Sequence, residues 1–214
     1  MKKALLAIAV AFVATTASAA ITGSSHDMTL YSGAGNGARC AYCHMPHNGA
    51  AVAGAPLWAR NVNYTVTYTP YSSVFGGQVG PTGSSQYNAG TRMCLSCHDG
   101  TQFIAQVFAA APAGSTQIIG GGTVKMTGNA LVGPNLVNDH PVSITYTTNG
   151  ANGNIGGLIA SPISVYNIGQ GRMLECTNCH NAHNGKTATV QYPNRYFMVS
   201  VGSADFCSGC HGVK

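Results

Sequence analysis

The sequence predicts a chain of mostly irregular coil, with short helical turns and a few short strands. It should fold around groups attached to it rather than around an aliphatic core. Three observations lead to this. Only 7% of the 214 residues are charged, against roughly 25% in an average soluble domain. Gly supplies 28 residues, and Ala, Ser, Thr and Asn fill much of the remainder, so Leu, Ile and Val are too few for a large core. The eight Cys and eight His follow a repeating pattern that uses every cysteine. The length allows one domain or two small ones. The formal net charge of +5 falls to +3 once Lys2 and Lys3 are removed, which is too little for a strongly basic nucleic-acid binder. So low a charge also argues against a simple disordered tail.

The N-terminal segment, 1–19, reads as a secretory signal peptide. Lys2 and Lys3 form a basic start, 4–13 is a short apolar run, and Ala17-Ser18-Ala19 is a small-x-small cleavage site. Cleavage one residue later, after Ala20, fits as well. The apolar run is too short for a membrane anchor, and no comparable run follows it, so no membrane span is expected beyond it. With no Cys near the cleavage site, lipid attachment has no acceptor. The expected mature chain is exported, into a compartment that tolerates disulfides.

The cysteines fall into four pairs: Cys40-Ala-Tyr-Cys43-His44, Cys94-Leu-Ser-Cys97-His98, Cys176-Thr-Asn-Cys179-His180 and Cys207-Ser-Gly-Cys210-His211. Each is C-x-x-C-H, the attachment signature of c-type haem. Two thiols at this spacing reach the two vinyl groups on one side of a porphyrin, and the following His points at the iron. Four C-x-x-C disulfides would be strained and would not need the appended His. Two Cys₄ zinc sites would use the thiols but not the histidines. A thioredoxin-type motif needs an α/β context that is absent here. The fold class is therefore a multihaem cytochrome c, mostly irregular coil with short helical turns and a few short strands packed around four haems.

The histidine count closes the ligand arithmetic. His44, His98, His180 and His211 are the proximal ligands. His26, His47, His140 and His183 remain, which matches the number of distal ligands that four irons need, so bis-His ligation is expected throughout. Met45, Met93 and Met173 lie beside the motifs and are the competing ligands, although flexible Met often fills gaps around a flat ring. Six-coordinate haems without a thioether leave no open position and lack the ligand that raises the potential. That describes an electron carrier rather than an enzyme. No Ser-His-Asp order or paired carboxylates suggest catalysis. The Gly33-Ala-Gly35-Asn-Gly37 cluster has no preceding strand or ribose-binding acid for a dinucleotide loop. Asp99, Glu175 and Asp205 flank the motifs and are expected to be solvated or capping.

The motifs also repeat in order. The first half runs His26-Asp27, then Cys40-x-x-Cys43-His44-Met-Pro-His47-Asn48-Gly49, then Cys94-x-x-Cys97-His98-Asp99-Gly100. The second runs Asp139-His140, then Cys176-x-x-Cys179-His180-Asn-Ala-His183-Asn184-Gly185, then Cys207-x-x-Cys210-His211-Gly212. The single tetrahaem domain, 20–214, thus divides into two dihaem modules, 20–110 and 130–214. His47, three residues after His44, cannot easily cross to the opposite face of the same haem and more naturally ligates a neighbouring one; the same holds for His183 and His180. Between the motifs, 63–69 and 142–147 alternate like short strands, 123–127 reads as another, and the C-x-x-C-H segments should sit on single helical turns. The Gly-, Ser- and Asn-rich stretches 76–90 and 149–157 read as surface loops.

The sequence resembles the extracellular tetrahaem cytochromes that polymerise into nanowires, the OmcE-like filaments of metal-reducing bacteria. The segments that carry the resemblance are Gly23-Ser-Ser-His26-Asp27, Cys40-Ala-Tyr-Cys-His-Met-Pro-His-Asn-Gly49, Met93-Cys-Leu-Ser-Cys-His-Asp-Gly-Thr101, Asn138-Asp-His-Pro-Val142 and Cys176-Thr-Asn-Cys-His-Asn-Ala-His183. It implies haems running continuously along a filament, with one distal His donated to a haem of the adjacent subunit; His47 is the candidate donor. The expected partners are then further copies of this chain, other redox proteins and extracellular electron acceptors, with no nucleic acid. A subunit buried at both ends can also shed charged surface. Two other readings stay open: a soluble periplasmic tetrahaem shuttle, and a multihaem oxidoreductase with one open haem.

Overall fold

The computed structural model of the chain describes residues 21–32, 39–45, 49, 57–60, 65–73, 77–104, 106–107, 117–118, 124–145, 173–183 and 197. The expected signal peptide, the loop at 149–157, Asp205, His47 and the whole fourth motif with Cys207, Cys210 and His211 lie outside these residues.

The first motif begins after α1, Thr29–Ser32, on a 3₁₀ turn at Arg39–Tyr42. Helix α2, Ala89–His98, carries the second motif in its last turns. Asn88 precedes it in an extended conformation, and its carbonyl accepts from the amides of Thr91 at 3.2 Å and Arg92 at 2.8 Å. Thr91 is the one β-branched residue in its ten, and Arg92, Met93 and Leu95 favour the helix. It ends where Gly100 takes a left-handed φ of 70° and returns its amide to the Cys97 carbonyl, a turn that glycine forms without a Cβ penalty. Helix α3, Cys176–Cys179, is a single turn that carries the third motif.

The strands form three separate antiparallel pairs. Strand β1, Tyr71–Ser73, pairs with β2, Gly77–Val79, in the register Tyr71 to Val79. Strand β3, Gln106–Val107, pairs with β4, Gln117–Ile118. Strand β5, Ile144–Thr145, pairs with β6, Met173–Leu174, and so joins the early part of the second half to the approach of the third motif. Single bridges add His44 to Trp58, Thr67 to Gly83, Thr69 to Asn135 and Phe103 to Lys125. The described part of 63–69 thus contributes two bridges rather than a continuous strand, 142–147 contains β5, and 123–127 contributes the bridge at Lys125.

The stretch 76–90 departs from the expected surface loop. It contains β2, a 3₁₀ turn at Ser84–Gln86 and the start of α2, and Ser84, Tyr87, Ala89 and Gly90 are buried. Its small residues permit close backbone approach there rather than exposure to water. Two apolar clusters hold the described residues. Tyr42, Ala59 and Val107 form one, flanked by Met28, Cys43 and Met45. Tyr68, Tyr87, Leu95 and Leu136 form the other, flanked by Val66 and Val142. Both are small, and tyrosine supplies much of their bulk.

Candidate haem-attachment and axial-ligand site

In each described motif one helical turn puts both thiols on the same side, since residues three apart on a helix are neighbours. The Cys40 carbonyl accepts from the amides of Cys43 at 3.1 Å and His44 at 2.7 Å, and the Cys176 carbonyl accepts from that of His180 at 2.9 Å. In α2 the Cys94 thiol donates to the Gly90 carbonyl at 3.3 Å. The six described cysteines are all free thiols, the form that attachment requires.

The three motifs are brought together. The neighbouring Cys176 side chain and burial push the Cys94 thiol up, while the Cys94 side chain lowers Cys176. Burial pushes the Cys43 thiol up to about 12, helped by the nearby Cys97. Burial raises Cys97 as well, opposed by the Arg60 guanidinium, which also opposes the shift at Cys43. The first motif thus approaches the second through Cys43 and Cys97, and the second meets the third through Cys94 and Cys176.

Four of the described histidine rings meet in pairs. The rings of His26 and His98 have centroids 6.1 Å apart, with planes at 67°. Those of His44 and His183 are also 6.1 Å apart, with planes at 24°. His26 stacks on Phe197 at 4.0 Å, and Trp58 sets its edge against His44 at 5.6 Å. Burial lowers the pKa of His26, and His98, His183 and His180 repel its charged form. Burial lowers His180 too, with His98 adding repulsion. His140 is exposed and turns its Nδ1 to the Pro141 carbonyl at 3.0 Å, close to its own backbone. Among the described residues no group of three or more His, Cys, Asp or Glu side chains is placed to hold a metal ion directly; the ring contacts between histidines are pairwise. Met45 packs beside Tyr42 and Cys43.

The two described flanking carboxylates are not solvated. Asp99 and Glu175 are each 2% exposed. Asp99 accepts from the Tyr68 hydroxyl at 2.7 Å and from both the amide and the hydroxyl of Thr101 at 2.8 Å. Glu175 accepts from Asn88 at 3.0 Å, from Ser143 at 2.9 Å and from Thr91. The expectation of a solvated role fails because hydroxyl and amide donors from distant segments surround each carboxylate and replace its water. Glu175 directly precedes α3 and Asp99 directly follows α2, so the expected capping position holds for both. Arg60 and Trp58 were not singled out by the sequence reading. Arg60 is 1% exposed, and the single Trp donates from Nε1 to Ser96 at 3.2 Å; its rarity and its place shortly after the first motif were the available signal.

These features fit the group that the motifs call for. Free paired thiols lie along a helical turn, and imidazoles come in pairs whose ring centres are 6.1 Å apart. Among the described residues no helix is long and apolar enough to cross a membrane. No protein-family model and no curated protein matches the chain, so the reading of this site rests on its own residues and geometry.

Proposed function

We propose that the chain is an electron-transfer protein with four covalently bound bis-His c-type haems, acting as the subunit of an extracellular conductive filament. The observation that carries this reading is the approach of the attachment sites: the Cys176 amide donates to Thr91 Oγ1 on α2 at 3.3 Å, and Trp58 and Arg60, which follow the first motif, bond Ser96 between Cys94 and Cys97 at 3.2 and 2.8 Å. Groups tethered at those sites are held at the short range that electron transfer requires. When bound, haem supplies a one-electron iron couple. The chain's residues do the rest. Cys40, Cys43, Cys94, Cys97, Cys176, Cys179, Cys207 and Cys210 hold the porphyrin edges. His44, His98, His180 and His211 supply proximal nitrogens, and His26, His47, His140 and His183 supply distal ones. With both axial positions filled by imidazole, neither substrate nor O₂ has a place to bind, so the protein is not an enzyme.

The filament part has its own support. The stretch 124–137 exposes Val124, Leu131, Val132 and Val137, between 37% and 48% each, with Lys125 as its single charge. That surface suits burial against a second copy of the chain. His47 remains the candidate ligand donated between subunits, and the expected location is extracellular or at the cell surface.

Electron microscopy of haem-loaded protein recovered from outside the cell tests the assembly. Filaments of uniform width containing this chain are expected. Discrete monomers with four haems would move the protein to a periplasmic shuttle and overturn the filament. Addition of CO to the reduced protein, or cyanide to the oxidised one, should leave the haem spectrum unmoved; a shift would reveal an open haem and overturn the carrier reading.

A further inference from the structure

We propose that His26 and His98 are the two axial ligands of a single iron, that of the haem held by Cys94 and Cys97. The proposal rests on the haem reading above and adds the ligand pairing, which the motif pattern leaves open.

The spacing comes first. Two imidazoles bound on opposite sides of one metal ion have centroids about 6 Å apart, because each metal–nitrogen bond is about 2 Å and each nitrogen lies about 1 Å from its ring centre. The His26 and His98 centroids are 6.1 Å apart. The angle of 67° between the planes is no obstacle, since each ring turns freely about its own metal–nitrogen axis. Distance alone would also suit an edge-to-face contact of two rings, so a second observation is needed.

The second nitrogens decide between these. His98 Nδ1 lies 2.7 Å from the Ala130 carbonyl, and His26 Nδ1 lies 3.1 Å from the Ala182 carbonyl. A carbonyl oxygen can only accept, so Nδ1 is the donor in both rings, which leaves Nε2 as the nitrogen that can face a metal. A ligating histidine shows this arrangement almost without exception: one nitrogen donates to a carbonyl or carboxylate, which orients the ring and raises the basicity of the other. An edge-to-face pair has no use for it on both members. His98 has further reason to ligate, because it directly follows Cys97 at the end of α2.

The segment that presents His26 is anchored as a ligand-bearing loop should be. The His26 amide donates to the Ser24 hydroxyl at 3.2 Å. The neighbouring carboxylate of Asp27 is 1% exposed and accepts from the Gly23 amide at 2.9 Å, the Thr29 amide at 3.3 Å, the Thr29 hydroxyl at 2.5 Å and Arg39 Nε at 2.9 Å. Arg39 adjoins Cys40, so the loop is tied to the first motif. Its orienting carbonyl, Ala182, adjoins His183 of the third. The second motif's iron would thus take one ligand from the start of the chain, with that ligand's orientation set by the second half.

Spectroscopy of the full haem-loaded chain, with haem counted by intact mass, tests the pairing. His26→Ala should keep four covalent haems and turn one of them from low spin to high spin, with cyanide binding gained at that haem alone and low spin restored by added imidazole. His26→Met covers the case in which the alanine variant does not fold. It should keep all four low-spin, raise the potential of one, and add a sulfur-to-iron charge-transfer band. A density map of the wild type should place His26 Nε2 on the iron of the Cys94–Cys97 haem. Four attached haems that all stay low-spin and cyanide-inert in His26→Ala, or His26 on a different iron, would overturn the pairing and leave the haem reading standing. A mass without four haems would overturn the haem reading itself.

Discussion

Arg60 takes a place that an aliphatic residue usually fills. Its guanidinium donates to the carbonyls of Ile104 at 2.7 Å, Ser96 at 2.8 Å and Phe103 at 2.9 Å, and so closes the region between the first two motifs with charge-assisted bonds. A chain with few large aliphatics stabilises its interior in this way, and tyrosine extends the same strategy. Tyr68 bonds Asp99, and Tyr87, 3% exposed, sets its ring against Tyr68 at 5.0 Å and donates its hydroxyl to the Pro81 carbonyl at 2.8 Å. Burial pushes the Tyr87 phenol up to about 12, with the Cys176 thiol adding to the shift. A phenol whose folded pKa exceeds its unfolded value of about 10 keeps its proton longer in the folded chain. Its share of stability is therefore complete below about pH 10 and is lost as the pH rises toward the folded value. Tyr87→Phe should cost about 1 kcal/mol at neutral pH through the lost hydrogen bond, and should decline less steeply than the wild type in alkali. Denaturant unfolding across the alkaline range checks this; parallel curves for the two proteins would exclude Tyr87 as the titrating group.

At the scale of elements, the contact between α2 and α3 organises the site. Glu175 draws Asn88, Thr91 and Ser143 to the start of α3, and the helices meet where α2 carries Gly90. A Cβ at that position would collide with Thr177 Oγ1 and stand 3.0 Å from the Cβ of Glu175. Gly90→Ala should gain up to about 1 kcal/mol in helix propensity. Overpacking at a buried contact, with backbone-near atoms that cannot swing away, costs about 1–3 kcal/mol, so a net loss of about 1 kcal/mol is expected. Thermal unfolding measures it, and an unchanged or raised midpoint would show that the helices do not approach this closely. Legibility in the sequence divides along the same line. The helical turns around Cys40, Cys94 and Cys176 were readable because spacing along one turn is a local property. The role of Gly90 was not, because its partners lie more than eighty residues along the chain. A Gly-rich stretch such as 76–90 looks the same in sequence whether it is exposed or serves a close approach. Of the solvated or capping role expected for Asp99 and Glu175, the capping position was legible because each adjoins a motif helix, while the loss of water was not, because it depends on Tyr68, Thr91 and Ser143.

Across the whole molecule, the two repeated halves are interlocked by His26 to Ala182, Asn88 to Glu175, and Thr91 to Glu175. The count of four motifs and four further histidines was legible because C-x-x-C-H spacing is local, whereas the approach of His26 to His98 depends on how distant segments meet. The outer surface follows from the same composition. A chain with 7% charged residues has little charge with which to guard its exterior, and 124–137 leaves Val132 and Val137 at 40% and 37% exposure. In the filament reading these side chains are covered by a neighbouring copy. Burying a valine contributes about 1.5 kcal/mol or more, so the double variant Val132→Asp and Val137→Asp should raise the concentration needed for assembly by roughly a hundredfold or more. Neither side chain is a ligand, and the Val132 amide keeps its bond to the His98 carbonyl whatever the side chain. The variant should therefore hold four haems and an unaltered low-spin spectrum while remaining monomeric in electron micrographs. Filaments at the wild-type concentration would remove this surface from the interface. Loss of haem together with assembly would show instead that the stretch supports the fold of the subunit.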